Sequence, residues 1–155
     1  MAPRVFDLYD SYMPLAPPGS ATELAAIAER FGLADVYVFG SRAGAISSAT
    51  RRSDTRRSGS DVDIAVRPNG ARLLAPHDRV ELTIELERVL HTSPVDLLVL
   101  PEAGPFLALA AIRGNLLYRA DSVDQAEYEL FVLRRAGDLA PLERERQQIV
   151  LDGGR

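Results

Sequence analysis

Three aspartates and one Gly-Ser turn are the residues through which this sequence could do chemistry. Asp61 and Asp63 stand one residue apart at the head of an apolar run, Ser60-Asp61-Val62-Asp63-Ile64-Ala65-Val66. Side chains alternate faces along a strand, so both carboxylates point one way while Val62, Ile64 and Val66 point into a core. Paired carboxylates on a rigid strand are costly unless something neutralises them, and a divalent cation does that well. Upstream, Val36-Tyr37-Val38-Phe39 runs into Gly40-Ser41-Arg42. A Gly-Ser turn after a strand can offer backbone N–H groups and a hydroxyl to phosphate oxygens. Asp96 stands at the head of a third apolar run, Val95 to Leu100, and would complete the set if that strand lay beside the second. Three carboxylates on adjacent strands can hold two Mg²⁺ about 3.5–4 Å apart, one for a triphosphate and one to acidify an attacking hydroxyl. Asp96, ionised and within hydrogen-bond reach, could accept that hydroxyl's proton. The set reads as a metal–nucleotide site, because phosphoryl chemistry asks for positioning and charge neutralisation.

The elements that must position these groups can be read in chain order. Residues 1–19 are proline-rich, with Phe6, Tyr9 and Tyr12, and read as an irregular N-terminal arm. Ser20 or Thr22 can cap a helix that turns Leu24, Ile27, Ala28 and Phe31 to one face and stops at Gly32. Strand one follows over about 35–39. Residues 43–60 show no apolar period and contain a tandem repeat, Thr50-Arg51-Arg52-Ser53-Asp54 then Thr55-Arg56-Arg57-Ser58-Gly59. Its arginines read as a solvated loop. Strand two covers 61–66, and Pro68-Asn69-Gly70 turns the chain. A helix over 77–91 has Leu82, Leu86, Val89 and Leu90 on one face, and His77 and His91 at its ends read as structural or surface residues. Strand three, 95–100, is broken by Pro101. A short helix over 105–113 leads to strand four, 115–119. Asp121 or Ser122 caps a helix with an Ala126, Leu130, Leu133 stripe, which is core or partner interface, and Pro141 separates it from a last helix, 142–151. Alternating strands and helices indicate an α/β (α+β) fold with a small mixed sheet of about four strands. The expected organisation is one domain: the arm, a core over 20–120, and C-terminal helices over 121–155.

Composition narrows the function. The 155 residues suffice for a real core, and 46% apolar with 26% charged content is ordinary for a soluble protein. No apolar run approaches the roughly 20 residues of a membrane span. A net charge of −4 argues against a DNA-binding surface. With no cysteine there is no thiolate nucleophile or disulfide framework, which suits a cytoplasmic home. All 18 basic residues are arginine, so no mechanism can use a lysine nucleophile or a P-loop lysine.

Gly40-Ser41-Arg42, Asp61-Val62-Asp63 and Asp96 in this order resemble the Gly-Ser…Asp-x-Asp…Asp pattern of the DNA polymerase beta-like nucleotidyltransferases. The small size is similar to the minimal nucleotidyltransferase branch, whose members pair with helical HEPN-domain toxins as antitoxins. The resemblance covers about residues 22–120 and includes the Leu117-Tyr118-Arg119 strand. It implies that Asp61, Asp63 and Asp96 bind Mg²⁺, that Asp96 serves as the base, and that Gly40, Ser41 and Arg42 bind the nucleotide's phosphates. It also implies ATP as substrate, AMP transfer to a tyrosine of a cognate HEPN-type toxin, and no role for DNA or membrane. One departure stands out: 19 residues separate Ser41 from Asp61, more than that family usually has. A loop that leaves and re-enters a sheet tolerates such growth, because closure entropy rises slowly with length. Two alternatives remain. One is a non-catalytic antitoxin that acts by binding, against which the intact aspartates weigh. The other is transfer to a small molecule such as an aminoglycoside, for which the residues after 120 are too few to build an acceptor domain.

Overall fold

Central strands buried on both faces build the sheet, with alternate residues entering two separate cores, and the computed structural model describes residues 18–41, 43 and 61–152. Helix α1 is Pro18–Phe31, followed by β1, Leu33–Phe39, and β2, Val62–Pro68. Then come α2, Pro76–Leu90, and β3, Val95–Val99. A 3-10 turn over Leu100–Glu102 leads to α3, Pro105–Ile112, β4, Asn115–Arg119, and α4, Ser122–Asp152. The sheet has the order β3-β2-β1-β4. β1 runs antiparallel to β2 and β4, while β2 and β3 are parallel. This is the mixed four-stranded α+β sheet expected from the sequence.

Each face of the sheet has its own cover. Val36, Val38, Val62, Ile64 and Val66 pack under Leu24, Ile27 and Phe31 of α1 and Leu82, Leu86 and Val89 of α2. Burying each such aliphatic side chain is worth about 1.5–3 kcal/mol. On the opposite face, Tyr37, Phe39 and Ala65 meet Ala108 and Ala111 of α3 and Val132 of α4.

Several boundaries differ from expectation for local reasons. α1 starts at Pro18, so Ser20 and Thr22 lie inside it; a proline suits a first turn, where its missing N–H has no partner to lose. Gly32 does end the helix, with φ +64°. Leu90 is only half-buried at the end of α2. Leu100 leaves the ladder for the 3-10 turn, since Pro101 has no N–H to give a strand. The largest correction concerns Pro141, which lies inside one continuous helix and does not separate two. It deprives only the Gly137 carbonyl of an amide, and both residues are exposed to water that can replace it. Asp121 is the cap, its Oδ1 accepting from Val123 and Asp124 N–H at 2.9 and 2.8 Å. The Ala126-Leu130-Leu133 stripe is not core: Leu130 and Leu133 are 51% and 44% exposed, and α4 buries Gln125, Val132 and Ala136 instead. No described helix is long and apolar enough to cross a membrane. The residues of the N-terminal arm before Pro18, Arg42 and the segment 44–60 with its repeat lie outside the described residues.

Candidate active site

The heads of β2 and β3 are held side by side. Their parallel register sets Val62 against Val95 and Asp63 against Asp96. The two carboxylates therefore leave the same face of strands about 4.8 Å apart. Two hydrogen bonds fix these strand heads. Val62 N–H donates to the Pro94 carbonyl at 3.0 Å, and Val95 N–H donates to the Glu87 carboxylate of α2 at 2.9 Å. Glu87 was not among the residues the sequence singled out, since nothing local marks it as a partner for a strand that begins eight positions later.

The Gly-Ser turn arrives from the other side. Phe39, the last residue of β1, is the ladder partner of Asp63, and Gly40 follows it with φ +75°. A Cβ at Gly40 would overlap the Asp63 carboxylate, so the turn's backbone lies directly against that side chain. Glycine is required here twice over, by the left-handed conformation and by the close approach. The turn closes with Ala43 N–H donating to the Gly40 carbonyl at 3.3 Å. Ser41 stands exposed within it.

Electrostatics tie the three aspartates together. Asp63 is half-buried, while Asp61 and Asp96 are exposed. Burial raises the Asp63 carboxyl above its ordinary range, and the charges of Asp96 and Asp61 push it further the same way. Such a cluster calls for a cation. Among the described residues no three carboxylates or imidazoles form a ready-made cage for an ion. Mg²⁺ is usually held by one or two carboxylates and takes further oxygens from substrate phosphates and water, and Asp63 beside Asp96 is a pair of that kind. The donor set, carboxylate oxygens of Asp63 and Asp96 on adjacent strands beside an exposed turn, fits that ion.

At its far end β2 carries a second charged group on the same face. Arg67 Nε donates to buried Asp35 at 2.5 Å, its Nη2 donates to Asp124 of α4 at 2.6 Å, and its guanidinium lies 4.7 Å from the Tyr128 ring. Burial raises the Asp35 carboxyl against the pull of Arg67. Beside it, Tyr37 donates to Glu129 at 3.0 Å and Gln125 bridges both. Burial also pushes the Tyr37 hydroxyl well up, so it remains a donor. These groups explain why α4 turns Gln125 inward: a buried hydroxyl needs a partner. A cleft of about 470 Å³ opens next to them, with walls including Leu116, Leu130 and Leu133. Asp35 and Arg67, charged residues inside strand runs, were the available sequence signal.

Solved structures share this arrangement of elements. A toxin–antitoxin complex with AMP-PNP is 27% identical, with a TM-score of 0.60 over 87% of this chain and 98% of that one. A tri-AMPylated Shewanella oneidensis HEPN toxin in complex with MNT antitoxin is 25% identical, with a TM-score of 0.57 over 88% and 97%. The toxin–antitoxin MntA-HepT matches with the same identity, TM-score and coverage. No curated protein sequence matches the chain significantly. Residues 23–123 match the polymerase beta nucleotidyltransferase family, and that span holds the Gly-Ser turn and all three aspartates. By its sheet, its paired strand heads and this match over most of its length, the chain belongs to the polymerase beta nucleotidyltransferase family.

Proposed function

We propose that this chain is a Mg²⁺-dependent protein adenylyltransferase, the antitoxin of a cytoplasmic toxin–antitoxin pair, which moves AMP from ATP to a tyrosine of a HEPN-type toxin. The observation that carries the reading is the pairing of Asp63 with Asp96, set against the backbone of Gly40. The likeness to an AMP-PNP complex and to a complex with an AMPylated toxin supports the nucleotide and the acceptor.

In this reading Asp61, Asp63 and Asp96 hold Mg²⁺, which when bound neutralises triphosphate charge and acidifies the attacking hydroxyl. Ser41, the Gly40–Ser41 amides and Arg42 hold the β- and γ-phosphates. Asp96, exposed at the edge strand, takes the tyrosine proton as the phenolic oxygen bonds to the α-phosphorus. The bond from that phosphorus to the bridging oxygen breaks, and pyrophosphate leaves with both electrons of the bond. Val123, Leu130 and Leu133 of α4 stand 62%, 51% and 44% exposed at helical spacing, a surface suited to a protein partner.

The test uses α-labelled ATP, Mg²⁺ and the protein encoded beside this one as acceptor. The wild-type chain should label it and Asp61→Asn should not. Antagonism of the partner that persists in Asp61→Asn/Asp63→Asn, with no label from any of four nucleotides, would establish a binding-only antitoxin instead.

A further inference from the structure

Asn115 reaches the phosphate-side turn from a different strand. It is the first residue of β4, the ladder partner of Val38 on β1. Its Nδ2 donates to the Ala43 carbonyl at 3.2 Å, across 72 positions of sequence. The approach is possible because Gly114 precedes it: a Cβ on Gly114 would run into the Val38 carbonyl and come within 2.8 Å of Phe39 Cβ. Ala43 itself packs against the core beneath α1 and α2.

The turn is therefore held at two points. At its entry, Gly40 rests against Asp63 and continues β1. At its exit, Ala43 is bonded to Gly40 through the backbone and to β4 through Asn115. Ser41 lies between them. Backbone donors aimed at an anion act best when their direction is set before the ligand arrives, because no binding energy then goes into ordering them.

We infer that Asn115 is a positioning residue for triphosphate binding: its side-chain amide sets the Ala43 end of the turn that begins at Gly40, so that the Gly40 and Ser41 N–H groups and the Ser41 hydroxyl face the β- and γ-phosphates. The inference rests on the nucleotidyltransfer reading of the site. The contact through which Asn115 acts is its side-chain bond to the Ala43 carbonyl. Its effect belongs to the binding of the polyphosphate rather than to the chemical step.

Two variants of the full chain separate this role from general stability. Asn115→Leu keeps the size and removes the donor, while Asn115→Gln keeps an amide. Loss of one hydrogen bond of this kind should raise the KM for Mg–ATP roughly five- to tenfold with kcat within about twofold. Asn115→Gln should recover part of the loss. Amide hydrogen exchange on the nucleotide-free protein gives an independent readout: exchange at Ser41 and Ala43 should quicken in Asn115→Leu, with α1 and α2 unchanged. An unaltered KM, or exchange that quickens throughout the molecule in step with a lower Tm, overturns the positioning role. Wild-type protein that binds no Mg–ATP overturns the nucleotidyltransfer reading and this role together. A local exchange change in that same protein would leave Asn115 as a structural clamp alone.

Discussion

Replacing Gly40 by alanine adds one methyl group to the face of a carboxylate. Two costs follow. The first is conformational: φ at Gly40 is +75°, and a Cβ there costs about 1–2 kcal/mol. For a chain of this size that lowers Tm by about 2–8 °C. The second is positional. The new Cβ would overlap Asp63 Oδ2. Oδ2 is the tip of a side chain that can rotate, so the fold survives while the carboxylate retreats by roughly 1 Å, a misplacement that can cost about a hundredfold in rate. Gly40→Ala should therefore remain folded, melt a few degrees lower, and lose most nucleotidyl transfer. Thermal melts and single-turnover label transfer measure the two costs separately. In a background of Asp63→Ala the overlap disappears, so adding Gly40→Ala should lower Tm by the conformational part only. Transfer within threefold of wild type and an unchanged Tm in Gly40→Ala would refute the contact between turn and carboxylate.

Asp63→Asn tests the cost of a half-buried charge beside two others. The folded-state pKa of Asp63 lies above the ordinary 3.8, so the folded state holds the proton more tightly than the unfolded chain. Ionisation at neutral pH is thus a burden on the metal-free fold, and it is lifted as pH falls through the folded pKa. The variant should be more stable than wild type at pH 7, since it removes a charge that burial and its neighbours both disfavour, with the difference gone below pH 3.8 in denaturant titrations. Arg67→Leu strands Asp35, whose side chain is fully buried, and should cost about 3–5 kcal/mol in urea unfolding; a loss under 1 kcal/mol would mean that Asp35 is neutral in the folded protein. Leu130→Arg with Leu133→Arg should weaken partner capture at least tenfold while leaving Mg–ATP affinity unchanged, as measured by calorimetry.

The carboxylates were legible in the sequence because their arrangement is local and periodic. Asp63 is set by strand alternation and Asp96 needed only the assumption that its strand lies next in the sheet, while Asp61 falls just before β2 begins at Val62. The ladder pairing of Asp63 with Asp96 is what that assumption requires. The chain stop at Gly32 and the Asp121 cap were likewise visible in a few adjacent residues. What escaped was non-local. Glu87 capping Val95, Asn115 holding Ala43 and Arg67 joining Asp35 to Asp124 are choices among partners far apart in sequence, set only once the layers have packed. The Ala126-Leu130-Leu133 stripe shows the same limit from the other side: periodicity found an apolar face, but the partners of Gln125 decided which face turned inward.

The antiparallel pairing of β1 with β2 makes everything between Ser41 and Asp61 the excursion of a single hairpin. Both ends of that excursion are fixed by the Phe39–Asp63 ladder pair and by the Val62–Pro94 bond. Chain added inside it cannot slide Asp61 or Asp63 along the sheet, where a slip of one residue would turn both carboxylates to the opposite face. The number of residues between these two fixed ends is therefore free to vary with the β1–β2 register unchanged. The distance in sequence between Ser41 and Asp61 is thus no measure of the distance between the strand ends that carry them.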